Sequence, residues 1–133
     1  MFHIIRTIGA ITRTIQMDSN KNFKAAGLNN NLFIYIIRVC ENPGMFLAEL
    51  ADSIQIDRTT SFRTVQKLAQ QGYLDLQKDS KNQKIKRIYP TQKARAIYPQ
   101  LHTYEKEQSD KLLAPLSQKE QEQLAYLLNK LHY

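Results

Sequence analysis

Apolar residues recur at Ile4, Ile8, Ile11 and Ile15, with Ile5 beside them. Steps of four, three and four keep these side chains on one side of a helix, so an amphipathic helix is expected over about 1–18. Asn20, Asn22, Gly27 and Asn29 to Asn31 then mark a loop, with Phe23 as an apolar anchor within it. Leu32 to Cys40 is strongly apolar and reads as a short buried helix stopped by Asn42-Pro43-Gly44. Phe46, Leu47, Leu50, Ala51 and Ile54 return to helical spacing and predict a short helix over 47–53. Asp57 stands where a carboxylate accepts hydrogen bonds from the unsatisfied N–H groups that open the next helix. That helix, from about Arg58 to Gln71, is expected to bury Ser61, Val65, Leu68 and Ala69, and Gly72 ends it. Two short helices joined by a tight turn make a helix-turn-helix.

Beyond Gly72 the period changes. Tyr73-Leu74-Asp75-Leu76-Gln77 alternates as a strand does, Asp79 to Gln83 is polar and turn-like, and Ile85, Ile88 and Tyr89 return as a second strand broken by Pro90. The hairpin would stand beside the helix pair as a wing. From Thr91 helical spacing resumes to about Leu113, with a kink expected at Pro99 and a corner at Ala114-Pro115. Ser117-Gln118-Lys119-Glu120 has the spacing of a capping box, and Leu124, Leu127, Leu128 and Leu131 line the last helix. The fold expected is mainly α with a small β-hairpin wing. A winged helix-turn-helix over about 32–90 lies within one domain, 1–133. The flanking segments, 1–18 and 91–133, carry long apolar stripes and are expected to be dimerisation helices, buried against a second copy of the chain, with packing on the winged core as the alternative.

Charge moves the question from fold to partner. Between Asp57 and Arg95 there are ten basic and three acidic side chains, an excess equal to the net charge of +7 carried by the whole chain. Positive charge concentrated on one module attracts and orients a polyanion, and helix plus basic hairpin suits duplex DNA. The longest apolar run, Leu32 to Ile37, is far too short to cross a bilayer, so no membrane partner is expected. Neither a secretory leader pattern nor a pair of cysteines is present, which makes a reducing cytoplasm the expected compartment. His3, His102 and His132 lie far apart in sequence, and no Cys/His cluster has metal-ligand spacing. Glu105 and Glu107 point in different directions on a helix. Without a Ser-His-Asp order or a phosphate-cradling glycine loop, neither a cofactor nor an enzymatic role is expected.

Three stretches resemble the MarR/SlyA family of bacterial winged-helix regulators. Leu47-Ala48-Glu49-Leu50-Ala51 with Ile56-Asp57-Arg58-Thr59-Thr60 resembles the start of the family's helix-turn-helix. Arg63-Thr64-Val65-Gln66-Lys67-Leu68 and Gly72-Tyr73-Leu74 look like its recognition helix and first wing strand. Lys84-Ile85-Lys86-Arg87-Ile88-Tyr89 with Thr91 looks like the second wing strand and the cap of the next helix. The likeness spans nearly the whole chain in order and spacing. It implies a homodimeric repressor on a pseudo-palindromic duplex operator, released by a small, often aromatic, anionic effector held between the winged module and the dimer helices. The wing tip departs from the pattern: the family's Asp-Arg pair is replaced by Asn82 and Gln83.

Arg63, on the open face of its helix, can donate two parallel hydrogen bonds to guanine. Arg58 adds charge at the start of that helix, and Thr59 and Thr60 can either hold a phosphate or cap the helix. Phe62 has two readings, core packing and contact with a thymine methyl. Lys67 suits the helix dipole as well as it suits a phosphate. On the wing, Lys81 and Lys84 can reach phosphates or a narrow minor groove. Lys84 and Lys86 are expected to share one strand face, with Arg87 on the other as an ion-pair partner. Cys40 is expected to be a buried small residue. On the resemblance, effector candidates are Ile8, Thr12, Tyr35, Arg38 and His102. A protein-docking or RNA-binding adaptor is the alternative function.

Overall fold

The computed structural model describes residues 1–131, so the last two positions of the 91–133 segment, including His132, lie outside the described residues. The chain forms two compact units, Met1–Pro99 and a second from Gln100 onward. Helix α1 (Phe2–Phe23) leads to α2 (Leu32–Glu41), a short strand β1 (Met45–Phe46), α3 (Leu47–Ile54) and α4 (Arg58–Gln70). The wing is β2 (Leu74–Lys78) and β3 (Lys86–Pro90), and it is followed by α5 (Gln92–Leu113) and α6 (Gln118–Asn129). This is the winged helix-turn-helix read from the sequence.

The core of the first unit gathers the apolar positions of four elements. Ile36, Ile37 and Val39 of α2, Leu50 of α3, Val65 and Leu68 of α4 and Ile88 of β3 are all fully buried. Burying such side chains stabilises the unit by about 1.5–3 kcal/mol each, which is why helices as short as α3 persist here. Thr91 locks the exit from the wing. Its N–H donates to the Tyr73 carbonyl at 3.0 Å, and its hydroxyl bonds to the Gly72 carbonyl while accepting from Ala94 N–H.

Four expectations need correction. Helix α1 does not stop near residue 18 but runs through Asn20 and Asn22 to Phe23. Phe23 is buried against Phe33 with ring centroids 4.7 Å apart, and Asn20 Oδ1 accepts Asn30 N–H at 2.7 Å, so packing overrides the loop preference of asparagine. The turn that follows uses the left-handed backbone that Asn tolerates, with φ of 57° at Asn30 and 64° at Asn31. The wing is not a bare hairpin: β1 pairs with β3, giving an antiparallel sheet in the order β1-β3-β2, with Met45 opposite Ile88. Pro90 does not break the second strand but closes it opposite Leu74, beyond the two residues that β1 pairs. A strand end is where a residue without an N–H is tolerated. Ile85 and Lys84 fall in the turn before β3, where Ile85 N–H bonds to the Asn82 carbonyl at 3.0 Å.

Smaller differences remain. Ala69 and Cys40 are half-buried, and burial still pushes the Cys40 thiol above its ordinary value, against the lowering effect of Arg95. Pro99 stands inside α5 and gives no N–H to the preceding turn.

In the second unit, Ser117 opens α6 through a reciprocal cap. Its N–H donates to Glu120 Oε1 at 2.9 Å, and its hydroxyl accepts Glu120 N–H at 3.2 Å. Helix α6 ends at Asn129, so Leu131 lies beyond it instead of lining it. Among the described residues, no helix is long and apolar enough to cross a membrane.

Candidate nucleic-acid interface

Helix α4 has two faces. Ser61, Val65 and Leu68 are buried, whereas Arg58, Thr59, Thr60, Arg63, Gln66 and Lys67 are exposed. Asp57 caps the helix by accepting Thr60 N–H at 2.8 Å. Hydrogen bonding from Thr60, with a smaller contribution from the charge of Arg63, holds the Asp57 carboxyl below its ordinary range. The cap leaves other N–H groups of the first turn unsatisfied, so an anion can still be held there beside Thr59. Arg58 reaches back to Asp52 at 3.2 Å, with both side chains mostly in water. Such a pair contributes little and can exchange for a phosphate. Phe62 is half-buried between the two faces.

The wing is anchored by a residue pair that the sequence reading only half identified. Arg87 donates from Nε to Asp79 Oδ1 at 2.7 Å and from Nη1 to the Gly44 carbonyl at 2.8 Å, and it lies 4.2 Å from the Phe46 ring centroid. Arg87 is therefore the ion-pair partner expected of it. Asp79 is the unexpected member. Its other oxygen accepts Lys81 N–H at 3.2 Å and Asn82 N–H at 3.0 Å, so this one carboxylate folds the turn that carries the exposed lysines. Asn82 Oδ1 accepts Lys84 N–H at 3.1 Å, which engages the Asn82 side chain within the turn. Lys81, Lys84 and Lys86 are all exposed. Because Lys84 is in the turn, strand alternation does not put it on a face with Lys86, contrary to expectation.

The Arg87 hydrogen bond, followed by those from the turn N–H groups, holds the Asp79 carboxyl below its ordinary value of 3.8. A carboxylate whose folded value is depressed stabilises the fold fully above the unfolded value, and that contribution is lost as pH falls through the folded one. Asp79→Asn is therefore expected to lower the melting temperature at pH 7 and to flatten the loss of stability below pH 3.8. Thermal melts of both proteins across that range check it.

A second residue missed from sequence is Lys93. From the first turn of α5 it donates to the Gln71 carbonyl at 2.8 Å, at the end of α4, while lying 4.3 Å from the Tyr73 ring centroid. Nothing in local spacing relates positions 71 and 93. The effector candidates form two pairs in the first unit. Ile8 and Thr12 are exposed on α1, where the Thr12 hydroxyl donates to the Ile8 carbonyl at 2.8 Å. Tyr35 is buried and Arg38 half-buried on α2. His102 is exposed on α5 in the second unit.

No family model matches the chain. An HTH-type transcriptional regulator of Bacillus subtilis (strain 168), YybA, is 35% identical over 98% of this chain and 87% of its own length. The crystal structure of the transcriptional regulator SlyA superposes with a TM-score of 0.90 at 40% identity, over 95% of this chain and 89% of that one. A MarR family regulator from Listeria monocytogenes, solved in complex with a 26mer DNA, superposes with a TM-score of 0.90 at 32% identity, over 95% of this chain and 84% of that one. The chain belongs to the MarR/SlyA family of winged-helix transcriptional regulators. It is a DNA-binding transcriptional regulator.

Proposed function

We propose that the protein is a homodimeric repressor that works in the cytoplasm and binds a pseudo-palindromic duplex operator. Helix α4 lies in the major groove in this reading, and the wing follows the backbone. The observation that carries it is the open face of α4, where Arg58, Arg63 and Lys67 stand beside a wing turn bearing the exposed Lys81 and Lys84. The Listeria relative bound to DNA supports the same reading. Selecting bound sequences from a random duplex pool tests it, because a dimer should return two inverted half-sites about one helical turn apart. Sequence-indifferent binding, or a preference for RNA or an acidic protein, would favour the adaptor instead.

Within this reading the wing supplies attraction and α4 supplies choice. Lys84→Ala is expected to weaken operator and random duplex alike and to reduce the salt slope by about one unit per lost phosphate contact. Titrations at several salt concentrations check both statements. For control, an aromatic acid is proposed to bind within the first unit, near Ile8, Thr12, Tyr35 and Arg38. A change in the separation of the two α4 helices of the dimer would then loosen both half-sites together. Salicylate-like anions should lower operator affinity at constant ionic strength, and Arg38→Ala should blunt the effect. Neutral phenols serve as controls, and a panel without effect at millimolar levels would rule the effector out.

A further inference from the structure

We propose that Lys86 and Phe62 form a strut between the wing and α4, so that Lys86 serves specificity as a positioning residue and not as a phosphate contact. The inference rests on the DNA-binding reading above. Alternation along β3 puts Lys86 on the same sheet face as Ile88 and Pro90. Both of those are buried, whereas Arg87 and Tyr89 on the opposite face are half-buried. The face that carries Lys86 is thus the one packed inward, and the Lys86 ammonium lies 5.6 Å from the centroid of the Phe62 ring. That is within reach of the ring's negative face. Phe62 is itself half-buried and sits between buried Ser61 and exposed Arg63.

Charge gives a second reason. Lys78 stands directly opposite Lys86 across the hairpin, and like charges in that position repel. Drawing the Lys86 ammonium toward Phe62 separates the two. Lys81 and Lys84 lie instead in the exposed turn beyond the strands. The strut fixes the spacing between those turn lysines and Arg63. Losing it lets phosphate contacts and base contacts fall out of step, which costs discrimination more than general attraction to DNA.

Lys86→Met, Phe62→Leu and the double variant of the full chain are titrated against the selected operator and a random duplex over a range of salt. Each single variant is expected to lose about fivefold on the operator, the scale of one exposed cation–π contact. Random-duplex affinity and the salt slope should stay unchanged, and the double variant should lose no more than the worse single one. Lys86→Arg, whose guanidinium also stacks on aromatic faces, should keep operator affinity. Without DNA, the Lys86 ε-methylene resonance should be shifted upfield by the ring and return to its ordinary position in Phe62→Leu. A lower salt slope on both duplexes in Lys86→Met would identify a phosphate contact and overturn the proposal, as would additive losses or an unshifted resonance. Should Phe62→Leu fail to fold, Lys86→Met and Lys86→Arg decide the matter, since both change only an exposed side chain. An unmodified chain that bound both duplexes equally while keeping the shifted resonance would sink the regulator reading, which separates the two failures.

Discussion

Replacing Leu128 with glutamate is expected to dissociate the dimer and reduce operator affinity by about 10²–10⁴-fold, the scale on which joining two binding modules raises avidity. Leu128 keeps 44% of its surface exposed, and Leu124, Leu127 and Tyr126 of the same helix are exposed with it. An apolar stripe of this kind is left in water by the single chain and needs a partner. The α1 stripe makes the same case: Ile4, Ile8, Ile11 and Ile15 are each between 37% and 44% exposed. A carboxylate at position 128 would have to be desolvated in the joined surface, at a cost a marginal interface does not meet. Light scattering of the unmodified protein at micromolar concentration should give about twice 15.5 kDa, and that of Leu128→Glu should give the single mass. Ile11→Glu is the companion change on α1. A variant that is monomeric yet holds the palindrome with full affinity would refute the dimer and the avidity argument together.

The second large effect belongs to Arg63. Arg63→Ala is expected to cost about 1–3 kcal/mol on the selected operator and to relax preference at one base pair in each half-site. The direction follows from position: Arg63 is exposed on α4, the face away from Val65 and Leu68. A guanidinium there can pair with guanine O6 and N7 together, whereas Lys84 on the wing turn offers only a point charge. The two variants should therefore differ in kind. Arg63→Ala changes the ranking of sequences, and Lys84→Ala changes the response to salt. Binding measured on the operator and on single-base variants separates them. An unchanged ranking in Arg63→Ala would mean that α4 is not the reader.

Much of this was legible in the chain itself. Ser61, Val65 and Leu68 recur with the spacing of one helix face, and Asp57 precedes them at the cap position, so α4 and its open side follow from local chemistry. The capping box at Ser117 and Glu120 was visible for the same reason: its partners are three residues apart. Localised charge on 57–95 could also be counted without coordinates.

What could not be read were arrangements between distant positions. β1 is only two residues long, too short to show alternation, and exists because β3 offers it an edge. Asparagines that favour loops stand inside α1 because Phe23 is buried against Phe33. Asp79 looks like any turn residue until Arg87 and the N–H groups of Lys81 and Asn82 converge on it. Lys86 reads as one more basic residue of a hairpin until Phe62 is found beside it. Where most of the helices run, which side of α4 is buried and where the charge lies could be read from the chain, because those depend on neighbours within a few residues. Which charges are committed to the protein and which face outward emerged from the folded chain alone, because a side chain's partner across the fold is set by packing and not by spacing along the chain.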